Sequence, residues 1–427
     1  MKFKLSSYIL PSVISMVLVG SYTNIDGLFI GNVAGDAGLA AINFAWPIVA
    51  LITAIGTGIG IGGSVILNNK RGEGDEAAAG RVKATMIMLL ATVGILSGVL
   101  LLLVSTPLLK LMGAEGEALR YAVEYSNIIC IGSVFQIMGA GLVALLRNEN
   151  KTYFSMVCCI VGLVVHVALD WLLCGRYALA GVAVSTVTSQ AVIMVLCLAA
   201  LRSKTKNKVD KGYILPVLKA ATSPMGLNFV PSAVLLFTNF FAAKIGGENG
   251  VAAVAAYAVM SYAVYTFDYV FQGVCDGIQP IISFCRGSGD KAEEKRAVKS
   301  AVIILGVCVA VFIALTPALI YFMPKVFNTT GIAEQMMKSG FIIYAVSYPF
   351  KAAVKFICSY YYAGGKTMIS NLLIYVDPLI LTPALLILLP KFFAVDGIWL
   401  SLTVAQLIVT ALGLLSFKFK PEKDDIK

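Results

Sequence analysis

Pro11-Ser-Val-Ile-Ser-Met-Val-Leu-Val-Gly-Ser-Tyr-Thr-Asn-Ile-Asp-Gly-Leu-Phe-Ile-Gly31 decides how this chain is read. A helix needs about 20 largely apolar residues to cross a bilayer, and this run supplies them. It also carries a carboxylate, Asp26, well inside the span. A charge at that depth is costly unless it faces water, meets a partner or takes up a cation, so an acid placed there is a functional candidate.

The rest of the chain has the same character. Of its 427 residues, 59% are hydrophobic and only 13% charged, with mean hydropathy +0.87. Soluble domains carry about 25% charged residues, so the composition is that of a polytopic membrane protein and excludes a soluble enzyme. The net charge of +10 is spread in short clusters between apolar runs. That is the pattern of loops facing an anionic leaflet, and no nucleic acid is expected as a partner. The nine cysteines lie in apolar runs without CxxC spacing and are read as reduced packing residues. His166 is the single histidine, which excludes a multi-histidine metal site. The first apolar run is too long for a signal peptide core and is expected to stay as the first helix.

Twelve spans follow from hydropathy: 8–31, 39–68, 84–106, 121–146, 153–173, 180–201, 214–245, 251–283, 297–322, 337–362, 367–389 and 395–417. With the N-terminus inside, 23 of the 33 Lys and Arg residues fall on the inner side and seven on the outer, so both termini are expected in the cytoplasm. The most polar stretch, 202–213, divides an N-lobe (1–201) from a C-lobe (214–417), and 418–427 form a cytoplasmic tail. The halves repeat. Gly31, Gly35, Gly58, Gly62, Arg71, Gly72, Gly74 and Asp75 recur 215 residues later as Gly246, Gly250, Gly273, Gly277, Arg286, Gly287, Gly289 and Asp290. Gly181 and Ser185 recur one residue further on, as Gly397 and Ser401. Six helices per half give both halves the same orientation, so the fold expected is all-α, with twelve transmembrane helices in two pseudo-symmetric six-helix bundles. Parallel repeats of this kind hold a substrate between the halves and work by alternating access.

Twelve spans in two lobes, Pro11 with Asp26-Gly-Leu-Phe-Ile-Gly31 in the first helix, and the paired Arg71-Gly-Glu-Gly-Asp75 and Arg286-Gly-Ser-Gly-Asp290 loops together resemble the multidrug and toxic compound extrusion (MATE) family. The resemblance covers nearly the whole chain. It implies a secondary active exporter in the cell membrane, driven by a proton or sodium gradient, with no cofactor. By the same resemblance the helix-1 acid matches Asp26, and the helix-5 Asn-x-x-x-Asp pattern falls on His166-Val-Ala-Leu-Asp170, with His166 in place of the usual amide. The helix-6 hydroxyl falls on Thr188.

His166 and Asp170 are four residues apart and share a helix face. Two buried acids cannot both stay ionised cheaply, and histidine titrates near neutrality, so the cluster Asp26, His166, Asp170 and Thr188, with Asn24 nearby, is expected to couple transport to H⁺. An Na⁺ ion at Asp26, Asp170 and Thr188 is the alternative, weakened because an imidazolium repels Na⁺. The plainer reading makes Asp170 an anchor for helix 5 and His166 a packing residue.

Helix 8 carries a polar stripe, Ser261, Tyr265, Asp268, Gln272, Asp276 and Gln279, at spacings of three and four, which must turn away from lipid. Helix 10 holds Lys351 and Lys355 mid-span. If the acids are free, the cavity attracts organic cations, helped by Tyr262 and Tyr265; if the lysines neutralise them, it suits zwitterions or anions; or the charges only tie the two helices together. Asn239, the repeat counterpart of Asn24, is placed on the same pathway. Asp377 and Glu124 are further membrane acids. The run Gly56–Gly63 lacks the strand that a phosphate loop needs, and reads as close helix packing. The function expected is thus a monomeric, proton-driven antiporter of small amphiphilic, cationic drugs or metabolites, in contact with membrane lipids. A lipid-linked oligosaccharide flippase is the alternative. A membrane enzyme is disfavoured, because no nucleophile, metal cluster or cofactor motif stands out.

Overall fold

A computed structural model describes residues 3–202, 208–327 and 329–417, without the side chains of Thr23, Asn24 and Asp36. The 418–427 tail and part of the 202–213 linker lie outside the described residues. Among the described residues the chain is all helix and turn, with no strand.

Twelve spans are present, named α1 to α12 in order. The first half has α1 (Ser6–Gly35), α2 (Ala37–Gly72) and α3 (Glu76–Leu111), then α4, which is bent by 59° between Gly116–Ile131 and Ser133–Asn148. Thr152–Leu201 is one continuous helical run of 50 residues, about 75 Å if straight and so far longer than a bilayer is thick. It breaks at Ala178 (φ 46°, ψ −127°), giving α5 (152–177) and α6 (179–201). The second half has α7 (Ile214–Ile245), α8 (Gly250–Ser288), α9 (Lys291–Val326), α10 (Gly331–Ala363), α11 (Thr367–Phe393) and α12 (Asp396–Ser416). Most of the sequence boundaries fall inside these helices, which run past the apolar stretches at one end or both; 214–245 coincides with α7, and 395–417 overruns α12 by one residue at each end.

The duplication is visible in the backbone. Ala178 has its counterpart in Ala394 (φ 48°, ψ −131°), 216 residues later and in the same shifted register as Gly181 and Gly397. A non-glycine residue with positive φ is an unusual, strained conformation, and here both halves place one at the same turn. Gly181 and Gly397 follow. A Cβ on either would stand 2.6 Å from backbone of the preceding helix, so only glycine lets the chain turn back that tightly.

Asp75 and Asp290 cap the helices that follow them, accepting from Ala78 N at 2.8 Å and from Glu293 N at 3.0 Å. The Arg-Gly-x-Gly-Asp loops do more than turn. A Cβ on Gly72 would lie 2.3 Å from the carbonyl oxygen of Phe284, and one on Gly287 would lie 2.0 Å from that of Asn69. Phe284 and Asn69 are themselves repeat counterparts, so the two loops pack on each other reciprocally. The same reciprocity continues along the seam. Gly58 and Gly62 of α2 lie against Ala221 and Ala220 of α7, while Gly273 and Gly277 of α8 lie against Val13 and Ile9 of α1. Small residues allow this backbone-to-backbone approach in place of apolar side chains. At the Arg71 and Arg286 end the halves are therefore shut. Each half also lends its first helix to the other's core: Ile9 joins the second core, and Val217, Ala220 and Ala221 join the first.

Gly287→Ala is expected to lower the thermal midpoint by several degrees, because overpacking a closed backbone contact costs about 1–3 kcal/mol. Gly306→Ala, where a Cβ would meet nothing within 4 Å, is the control and should leave it unchanged. Equal melting curves for the two variants would rule out the reciprocal loop contact.

Candidate functional site

In the first half, α1 presents Asp26 to one face of α5. His166 Nε2 stands 2.7 Å from Asp26 Oδ1 and 3.1 Å from Asp170 Oδ2. All three side chains are buried, with His166 and Asp170 fully so. Four residues along α5 put His166 and Asp170 on one face, and Asp26 meets them from the neighbouring helix. The single Nε2 has two carboxylates and at most one proton to offer them. Asp170's oxygens and His166 Nδ1 lack a hydrogen-bond partner among the described residues. With His166 protonated, two carboxylates face one imidazolium, and the group is one positive charge short of neutral. Its donor atoms lie within 4.8 Å of one another, close enough to share a small cation.

The surroundings are polar. The Tyr22 ring lies 4.6 Å from the His166 ring. Tyr125 and Ser185 stand beside the acids. Among the described residues Thr188 is half-buried and donates no hydrogen bond to the trio, whereas Ser185, almost one turn earlier, stands beside Asp170. The side chain of Asn24 lies outside the described residues. The repeat counterparts of Asp26, His166 and Asp170 are Phe241, Leu381 and Leu385, so the second half has no equivalent of this trio.

The second half holds a different arrangement. Ser261, Asp268, Gln272, Asp276 and Gln279 are all buried, as the stripe on α8 requires. Lys351 Nζ is 2.8 Å from Asp268 Oδ2, and Lys355 donates to Gln272 Oε1 at 3.3 Å. Gln272 in turn donates to Asp276 Oδ1 at 2.8 Å, and Gln279 to Ser283 Oγ at 3.0 Å. Neither stripe acid is free. The partner of Asp276, however, is not a helix-10 lysine. It is Arg147, whose Nη1 stands 3.1 Å from Asp276 Oδ2, with both side chains almost wholly buried. By position Arg147, just past the fourth apolar span at 121–146, is one of the 23 inner-side cations. The structure tucks it from the end of α4, in the first half, under α8, in the second. One signal did exist: its repeat counterpart is Tyr362, so this cation has no place in the shared scaffold.

A cavity of about 100 Å³ lies in the second half, among α7, α8, α10, α11 and α12. Tyr265, Asp268, Lys351 and Lys355 line it, with Tyr257, Tyr344 and an apolar wall that includes Leu227, Val264 and Leu402. Asp377, for which sequence gave no partner, is on its wall too. It sits where α11 relaxes into a π-turn over Asp377–Leu381 ahead of Pro378, and accepts from Thr382 Oγ1 and Gln406 Nε2, each at 2.6 Å. Tyr262 is not among the lining residues; it is 42% exposed and stacked on Phe327. Asn239 is half-buried and also away from the cavity wall.

Comparison with known proteins agrees with this architecture. The MatE family model matches residues 11–172. The multidrug export protein MepA of Staphylococcus saprophyticus is 22% identical over 422 residues, covering 95% of this chain and 91% of its own length. Among solved structures, an outward-facing multidrug resistance MATE family transporter of the MOP superfamily superposes with a TM-score of 0.89 at 18% identity, covering 97% of this chain and 95% of that one. Over residues 11–172 the chain is similar to the MATE family. A MOP superfamily transporter from Pyrococcus furiosus, described by a binding pocket of reversed polarity, matches with a TM-score of 0.88 at 19% identity over 97% and 95% of the two chains. The family match runs from α1 through most of α5, so it includes Asp26, His166 and Asp170. The cavity of the second half lies wholly beyond it.

Proposed function

We propose that this protein is a secondary exporter of small amphiphilic solutes, powered by inward movement of a proton through Asp26, His166 and Asp170. The observation that carries the reading is the unbalanced trio: a buried group one positive charge short of neutral loads a cation and gives it up as its exposure changes. The ligand set favours H⁺ over Na⁺. Sodium is a hard cation that wants several oxygens, and here an imidazole nitrogen stands between the acids.

The two lobes, 1–201 and 214–417, alternate around their seam. The Arg71 and Arg286 end, the more basic one, is the cytoplasmic end in this reading, and its closure makes the present arrangement outward-open. Ion site and cavity are joined through α1 and α8. A Cβ on Gly20, in the helix of Asp26, would lie 2.3 Å from the ring of Tyr269, the residue next to Asp268. Cationic solutes were expected on the premise that Asp268 and Asp276 stand free; both are paired, which removes that premise.

In proteoliposomes, an imposed pH gradient at zero Na⁺ is expected to drive solute exchange, and an Na⁺ gradient at equal pH is expected to drive none. Acceleration by Na⁺ alone would overturn proton coupling.

A further inference from the structure

The cavity walls carry four formal charges. Asp268 and Lys351 are closed on each other. The other two are not. Among the described residues Lys355 has no carboxylate within salt-bridge distance; its ammonium meets only the neutral Gln272 oxygen. Asp377 likewise has no ion pair, and its two oxygens are held by the neutral donors Thr382 and Gln406. Each oxygen accepts one bond from a neutral donor, which fixes the carboxyl group in place and supplies no countercharge. Asp377 also sits at the one π-turn in α11. Such breaks free backbone groups, and they recur where a membrane helix lines a substrate site.

The balance of charge then selects the ligand. The four charges sum to zero. A solute with only an ammonium group would pair with Asp377 and leave the cavity with an excess positive charge beside Lys351 and Lys355. A solute with only an acid group would do the reverse beside Asp268 and Asp377. A net charge in a low-dielectric cavity is costly. A solute that carries both groups meets both unpaired wall charges and leaves the total at zero. Between those polar points the wall is apolar and aromatic, with Tyr257, Tyr265 and Tyr344. We propose that the cavity binds zwitterions: compact solutes with an aromatic or apolar body, an ammonium group received by Asp377 and a carboxylate or other anionic group received by Lys355. This rests on the exporter reading for its role in transport, but not for the binding itself.

The test uses one skeleton in three charge states: 4-(aminomethyl)benzoate as the zwitterion, its methyl ester as the cation and its N-acetyl derivative as the anion. Binding is measured by calorimetry on the full chain in nanodiscs. The zwitterion is expected to bind about tenfold or more tightly than either analogue, since each loses one charge-assisted contact. Lys355→Gln should raise the ester above the zwitterion while leaving the acetyl compound weak. Asp377→Asn should raise the acetyl compound above the zwitterion. Equal or tighter binding of the ester to the unaltered protein would overturn the proposal, whatever the variants do. The two readings fail separately. Tight zwitterion binding with no gradient-driven exchange would sink the exporter and leave the cavity assignment standing; gradient-driven export of the ester, with equal affinity for all three, would do the opposite.

Discussion

Asp26→Asn is expected to abolish pH-gradient-driven export while leaving solute binding intact. The substitution keeps the size of the side chain and its ability to accept from His166, but removes one of two negative charges. His166 as imidazolium then balances Asp170 alone, and the group has no further need of a cation. Asp170→Asn should do the same from the other side, because its carboxylate is the second of the pair and is fully buried. The loss expected in uphill transport is on the order of a hundredfold or more, about 2.8 kcal/mol at 1.4 kcal/mol per factor of ten, because a group that is already neutral gains nothing by loading a cation. The measurement is initial rate of uphill transport in proteoliposomes, set beside solute affinity in nanodiscs. An Asp26→Asn, Asp170→Asn double variant that still moved solute against its gradient would remove the trio from the mechanism.

Arg147→Ala should have an effect of comparable size on a different quantity, the equilibrium between shut and open at the Arg71 and Arg286 end. Arg147 and Asp276 are 4% and 3% exposed and belong to opposite halves. Deleting the guanidinium leaves Asp276 buried without its cation, at a cost of about 3–5 kcal/mol that exists only while that end is shut. Opening the seam lets water reach the carboxylate and relieves it. Cys285, buried in a small cluster with Tyr8 of the first half, reports the change. Its labelling by a membrane-permeant maleimide, mapped by mass spectrometry, should be slow in the parent protein and much faster in Arg147→Ala. Arg147→Met with Asp276→Leu removes both charges and fills the space, so it should restore slow labelling, as apolar replacement of a buried pair often does. Unchanged labelling in Arg147→Ala would show that the bridge does not hold this end shut.

The spans and the duplication were legible because both are written locally: apolar length gives the helices, and a constant offset gives the repeat. Asp26, His166 and Asp170 were legible because depth in an apolar run and a four-residue spacing are also local signals. Asp268 with Lys351 followed from two unusual charge pairs in one half. What escaped depends on which helices pass each other. Arg147 lies at the end of its span, where a cation ordinarily reaches water, and only the crossing of α4 with α8 buries it. Asp377 finds Gln406 across 29 residues of sequence, through a distortion of α11 that Pro378 favours but does not specify. Thr188 against Ser185 is a matter of rotation along one helix, which spacing alone leaves open.

The one-sidedness of the trio has an electrical consequence. A twofold scaffold with acids in both halves would load two cations; this one holds a single unbalanced group, with Phe241, Leu381 and Leu385 in its place on the other side. Under the proposed coupling, one proton entering for each neutral zwitterion leaving would move one net charge per turnover, so membrane voltage would drive the cycle as well as the pH difference. A potential of 100 mV supplies about 2.3 kcal/mol per charge and one pH unit about 1.4 kcal/mol. Together they sustain a concentration ratio on the order of several hundred, and voltage alone sustains roughly fifty, so export would persist in a cell whose inner and outer pH are equal.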